Sequence, residues 1–194
     1  RNVPPLLDAE FDQGGQWNNY IQSQIGFNGP VGCVAVAMSQ VMHYWSWPNS
    51  GEGSNGYTEN NYGQIFVDFS QSNYDFSNMP ATYPSNAAQL LLYHTGVSVN
   101  MDYDQSGSGA FVTGNYPSTH YAMVNNFKYN ESMHSMYKNN SNIEQFRTAI
   151  ETELNNNRPV IMLGFGDDYG GGHAWNVDGY QGSNLHCNWG WGGY

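Results

Sequence analysis

The segment from Cys33 to Trp47 constrains the fold more than any other part of the chain. Its sequence, Cys-Val-Ala-Val-Ala-Met-Ser-Gln-Val-Met-His-Tyr-Trp-Ser-Trp, is small or apolar on almost every face. A helix of that kind has no side to give to water, so it must run through the middle of a core. It is too short, and too interrupted by Ser39, Gln40 and His43, for the roughly 20 apolar residues of a membrane span. Both of its ends are marked. Gly26 to Gly32, with three glycines, an asparagine and a proline, cannot sustain regular structure and reads as a loop. Pro48, followed by Asn49, Ser50 and Gly51, stops the helix.

Around this helix the sequence predicts further elements. Asp8 to Tyr20 is polar and Gly-broken and reads as an extended arm ending in a short turn, and Gly51 to Pro84 as loop with short strands. Ser85 caps a second helix through Leu92 to His94, ended by Gly96. Ser141 and Glu144 form a capping box before Ile143, Phe146, Ile150 and Leu154, a third helix closing at Asn155 to Asn157. Pro159 to Leu163 reads as a buried strand. His173 to Tyr180 is a second strand, turning at Gln181-Gly182-Ser183 and returning along Asn184 to Asn188 as an antiparallel hairpin. The expected class is α+β: a buried helix near the start and an antiparallel sheet at the end.

Composition removes whole classes of function. At 194 residues the chain fits a single domain spanning residues 1–194, and its 2 cysteines are too few for a disulfide-stapled scaffold. Acidic side chains number 16 against 5 basic ones, for a net charge of −11. There is no cationic stripe to neutralise phosphates, so nucleic acid and anionic membrane surfaces are poor partners. The 15 tyrosines, 9 phenylalanines and 6 tryptophans predict an aromatic core rather than disorder. Low charge with many Asn, Ser, Gly and Tyr points to a secreted bacterial protein. No cofactor is called for, and without Cys-x-x-Cys or His-Glu-x-x-His no metal site is expected.

Two residues invite chemistry. Cys33 opens the buried helix, where free backbone N–H groups and the helix dipole favour a thiolate. By itself it reads equally as a small core residue or as half of a disulfide with Cys187. His173 follows Gly170-Gly171-Gly172 and starts a strand 140 positions after Cys33, within the roughly 130–150 residue spacing of papain-type thiol proteases. A thiol on a helix and an imidazole delivered from a separate sheet can exchange a proton. Gln13 could supply a side-chain amide to an oxyanion. Asn188 and Trp189, one hairpin strand after His173, could hold and shield the imidazole. His43, His94, His120 and His134 read as structural or exposed.

Taken together, Gly32-Cys33-Val34-Ala35 running to Gln40-Val41-Met42-His43-Tyr44-Trp45 and Pro48, Gly171-Gly172-His173-Ala174, Val177-Asp178-Gly179 and Asn188-Trp189-Gly190-Trp191-Gly192-Gly193 resemble the streptopain family of papain-like bacterial cysteine peptidases. Pro5-Leu6-Leu7, Asp12-Gln13-Gly14, Tyr74 to Pro80 and Met101-Asp102-Tyr103 extend the likeness over essentially the whole chain.

The resemblance implies a two-lobed papain-like fold, with a helical lobe whose central helix is opened by the nucleophile and an antiparallel sheet lobe. It implies Cys33 as nucleophile, His173 as general base and acid, Gln13 as oxyanion donor, and Asn188 and Trp189 as the pair that orients and covers the imidazole. Gly171, Gly172 and Ala174 become substrate-binding positions. Partners would be protein or peptide substrates and the chain's own prodomain as inhibitor, with no nucleic acid and no membrane. The family's prodomain is not in this sequence, and members continue past Trp191-Gly192-Gly193 whereas this chain stops at Tyr194, so its C-terminal end is expected to be incomplete. The Gly-rich composition of residues 167–172 suggests a gate beside the cleft. The competing reading is a non-catalytic secreted module binding carbohydrate or protein, which irreversible labelling of Cys33 by a thiol-directed epoxide would oppose.

Overall fold

The central helix runs from Cys33 to Trp45, and its nine consecutive residues from Val34 to Met42 are buried. It ends as the sequence requires: Ser46 takes a left-handed conformation (φ 47°) and its N–H returns to the carbonyls of His43 and Met42, just before Pro48. In the computed structural model, which describes residues 2–166 and 171–194, chain order is β1 (Asn2–Val3), α1 (Asn19–Ile25), α2 (Cys33–Trp45), β2 (Ser54–Glu59), β3 (Gly63–Asp68), α3 (Asn86–Ser98), α4 (Thr119–Asn125), α5 (Ile143–Asn155), β4 (Val160–Phe165), β5 (Gly172–Gln181) and β6 (Asn184–Asn188). The class is α+β, as expected. Among the described residues no helix is long and apolar enough to cross a membrane.

Two of the predicted helix boundaries change for physical reasons. Ser85 does cap α3, its hydroxyl accepting the N–H of Ala88. The helix nevertheless runs through Gly96 to Ser98. Gly96 is there for close approach, not as a stop: a Cβ at this position would lie 2.6 Å from the Tyr103 hydroxyl. The capping box of α5 does not form. Ser141 donates instead to Asn139 Oδ1 at 2.6 Å, and Asn142 takes the cap position without a side-chain bond to the helix. A local Asx turn has won the competition for the hydroxyl. Helices α1 and α4 were not legible, because each is seven residues long and most of α1 is exposed.

Strand β5 organises the second half of the molecule. It pairs antiparallel with β4 from Gly172 to Val177, with β6 from Asn176 to Gln181, and with the short β1 at Tyr180 and Gln181. The predicted hairpin is therefore present, with a register irregularity between Val177 and Gly179. Alternation along β5 divides its contacts between two cores. Ala174 joins the large cluster built on α2 and α3, whereas Val177 and the partly buried Trp175 join a small one with Ile150 and Leu154 of α5. Inside the first contact, the Asn176 side chain donates to the Ala37 carbonyl of α2 at 3.1 Å. This bond ties the helix and the sheet together in a fully buried setting.

The arm before α1 is extended, as predicted, and it is more regular than its composition suggested. Leu7, Ala9 and Phe11 are buried while Asp8 and Glu10 are exposed, a period of two. Asp178, fully buried at the β5 irregularity, accepts the Leu7 N–H through Oδ2 at 2.9 Å and holds Nδ1 of the exposed His186 through Oδ1 at 2.7 Å. The arm is thereby fastened to the sheet before it reaches α2.

His94 of α3 is packed against Phe69, Tyr74 and Tyr93, with the Tyr74 hydroxyl 2.9 Å from its Nδ1. Burial pushes its pKa down to about 4. Because the folded state resists protonation, this group's contribution is fully present above about pH 6.5 and is lost as pH falls toward 4. The loss has a ceiling of roughly 3 kcal/mol. Urea unfolding at pH 7 and pH 4.5 should show a smaller pH-dependent loss for His94→Phe than for the parent. Equal losses would disprove the assignment.

Candidate active site

Cys33 is the first residue of α2 and is half-buried. Its Sγ accepts the backbone N–H of Ala174 at 3.4 Å. The thiol therefore lies against β5 one residue away from His173. The turn into the helix depends on Gly32, whose φ of 99° disfavours any side chain. A Cβ there would also meet the Met101 methyl at 2.6 Å and the Ser108 carbonyl at 3.3 Å. The preceding loop is held on both sides. Ser108 donates to the Pro30 carbonyl at 2.6 Å, and the Val31 N–H donates to the Gln13 carbonyl at 2.8 Å.

That last bond brings Gln13 beside the loop that delivers Cys33. Its own turn is fixed by Asp12, whose Oδ1 accepts the N–H groups of Gln13 and Gly14. The Gln13 side chain is half-buried.

His173 Nε2 lies 3.0 Å from the Trp189 carbonyl. A carbonyl only accepts, so the neutral ring carries its proton on Nε2 and leaves Nδ1 with a lone pair. The ring stacks on Trp191 at 4.9 Å, with Trp175 and Trp189 each at 6.1 Å. Burial among these groups lowers the His173 pKa, opposed in part by the bond to Trp189.

Of the pair expected to orient the imidazole, Trp189 makes the hydrogen bond and the Asn188 amide does not. Its Nδ2 donates to the Ala9 carbonyl at 2.8 Å, and its Oδ1 accepts the Gly190 N–H at 3.1 Å. Both ends of the amide are committed elsewhere, and the backbone of Trp189 supplies the imidazole's partner. Gly171 and Gly172 are exposed at the start of β5, and the Phe165 ring covers Gly172, 2.8 Å from where a Cβ would stand. Ala174 is buried, so it meets the site through its N–H and not its side chain. Residues 167–170 of the gate suggested over 167–172 lie outside the described residues.

Cys187 is a free thiol, as is Cys33. It packs with the small cluster, whereas Cys33 packs with the large one, so the two cysteines belong to different cores. The disulfide alternative is not what this structure forms. Sequence reasoning passed over Asp12, Ser108, Trp175 and Phe165. Only Trp175 carried a usable signal, standing two residues from His173 on the same strand face.

A helix-opening thiol bonded to the sheet at the residue after a tryptophan-flanked histidine, on an α+β scaffold, is the arrangement of a papain-like cysteine peptidase. Comparison with known proteins agrees: the pattern of the Peptidase C10 family matches residues 11–194. The chain belongs to that family. It is 34% identical to streptopain of Streptococcus pyogenes, over an alignment that covers 98% of this chain and 54% of that protein. It is 31% identical to the thiol protease/hemagglutinin PrtT of Porphyromonas gingivalis, covering 97% of this chain and 22% of that one. The chain thus spans about half the length of the streptopain it matches, and less of PrtT. The structure of active wild-type interpain A cysteine protease from Prevotella intermedia superposes with a TM-score of 0.80 at 27% identity, covering 99% of this chain and 83% of that one.

Burial raises the Cys187 thiol above its ordinary pKa. In the native protein at pH 7.5, iodoacetamide should therefore alkylate Cys33 well before Cys187, and both should react once the chain is unfolded. Peptide mass mapping reads the order. Faster labelling of Cys187, or a disulfide-linked Cys33–Cys187 peptide, would contradict this geometry.

Proposed function

We propose that this chain is the catalytic domain of a secreted bacterial cysteine endopeptidase. The observation that carries the reading is the placement of the Cys33 sulfur on the Ala174 N–H, one residue along β5 from an imidazole whose Nε2 is already occupied by the Trp189 carbonyl. In this tautomer Nδ1 is the nitrogen free to take the thiol proton. Cys33 then attacks the scissile carbonyl, and the oxyanion is met by the Cys33 backbone N–H and the Gln13 amide. His173 passes its proton to the leaving amine. Water, deprotonated by the same ring, hydrolyses the thioester and restores the thiol.

Substrates would be extended segments of protein or peptide laid between α2 and the start of β5, past Gly171 and Gly172. The structure of a prointerpain A fragment superposes with a TM-score of 0.79, covering 63% of that chain, which supports a prodomain as the natural inhibitory partner here as well.

Cys33→Ala should abolish casein hydrolysis and epoxide labelling without changing the fold. Gln13→Ala should lower kcat by about 10²-fold or more with little change in KM. Casein cleavage by Cys33→Ala at the parental rate would sink the reading. Since burial holds the His173 pKa below its ordinary value, the ring stays a proton acceptor in mildly acidic solution. The acid limb of kcat/KM should accordingly lie below about pH 6.5. A limb centred above that value would count against His173 as the base.

A further inference from the structure

Asn188 has both ends of its side chain occupied, and neither end reaches His173. The Oδ1 accepts the N–H of Gly190, two residues on, closing an Asx turn around Trp189. The Nδ2 donates to the Ala9 carbonyl on the arm. The peptide enclosed by that turn is the one whose carbonyl stands 3.0 Å from His173 Nε2. Four residues along the arm from Ala9 is Gln13, with intervening anchors at Phe11, whose N–H reaches Gln40 Oε1 at 3.3 Å and whose carbonyl accepts the Gly192 N–H at 3.1 Å.

We infer that Asn188 is a positioning residue that fixes two parts of the site at once: it aims the Trp189 carbonyl at the imidazole, and it holds the arm that carries Gln13. The inference rests on the peptidase reading for its kinetic consequence, but its geometric content is independent of turnover. An amide is the side chain this job needs. The Gly190 N–H requires an acceptor and the Ala9 carbonyl requires a donor, and Asn offers one of each on a short stem. A carboxylate would set a second oxygen against the Ala9 carbonyl, and a hydroxyl would keep the turn while falling short of the arm.

This arrangement separates two effects. Losing the turn frees the Trp189 carbonyl, so the imidazole loses its orienting partner and Nε2–H becomes open to water. Losing the arm contact alone loosens Gln13 and leaves the imidazole as it was. Asn188→Ala removes both contacts, and Asn188→Ser keeps the turn only.

The test reads both. In a Cys33→Ala background, which needs no turnover, ¹⁵N-histidine-labelled protein at pH 8 should show a slowly exchanging His173 Nε2–H, assigned by its loss in His173→Gln. Asn188→Ala should remove that signal and Asn188→Ser should keep it. With Cys33 restored, Asn188→Ala should lose tenfold to a hundredfold in kcat with KM changed less than about threefold, and Asn188→Ser should fall between it and the parent. Persistence of the signal in Asn188→Ala, or its absence from the Cys33→Ala parent, overturns the inference. A protein that shows the Asn188-dependent signal but hydrolyses no peptide overturns the peptidase reading and leaves the geometric inference standing.

Discussion

The contact between α2 and β5 is the constraint on which the rest of the structure depends. It is made by a helix with almost no polar surface and a strand that offers it Ala174 and Asn176, and the fully buried Asn176 amide is spent on the Ala37 carbonyl. Buried amide bonds of this sort fix register, because sliding the strand by one residue would turn Asn176 away from the helix and cost its Nδ2 the Ala37 carbonyl. The same register delivers the Ala174 N–H to Cys33 and sets His173 at the rim. Site geometry is therefore a by-product of core packing, and a chain that packs α2 on β5 correctly has already set the thiol on the strand residue that follows His173.

The arm is the second structural layer, and it works by a different physics. Besides burying every second side chain, it is stitched to Asp178, Asn188, Gln40, Gly192 and Val31 in turn, through its backbone at residues 7, 9, 11 and 13. Each bond is modest, about 1 kcal/mol net. Their value is positional, since a segment held at regular intervals has little freedom left at its far end. Asp178 shows how such an anchor survives burial: its carboxylate is met by a backbone N–H and a histidine ring nitrogen, so neither oxygen is left without a partner.

Much of this was legible in the sequence where local chemistry and global fold agree. The apolar run of α2 had only one solution, and its Gly-rich entry and Pro exit marked its ends. The terminal hairpin followed from alternation around Gln181-Gly182-Ser183. Legibility failed where side chains had a choice. Gly96 reads as a stop until Tyr103 is seen pressing on it, and Ser141 reads as a cap until Asn139 takes its hydroxyl. Asn188 was half legible for the same reason: an asparagine near a candidate histidine suggests a direct bond, and only the fold shows Ala9 and Gly190 claiming both of its ends. Spacing singled out Cys33 and His173 as a pair, but spacing carries no information about which atom of residues 188 and 189 faces the ring.

The tryptophans around His173 have an optical consequence. Trp175, Trp189 and Trp191 all stack within about 6 Å of that one imidazole, and a protonated imidazole quenches indole emission far more strongly than a neutral one. Half of the protein's 6 tryptophans thus form a built-in fluorophore whose brightness follows the charge on a single ring, so the protonation state of His173 can be watched in the unmodified protein by its own ultraviolet emission.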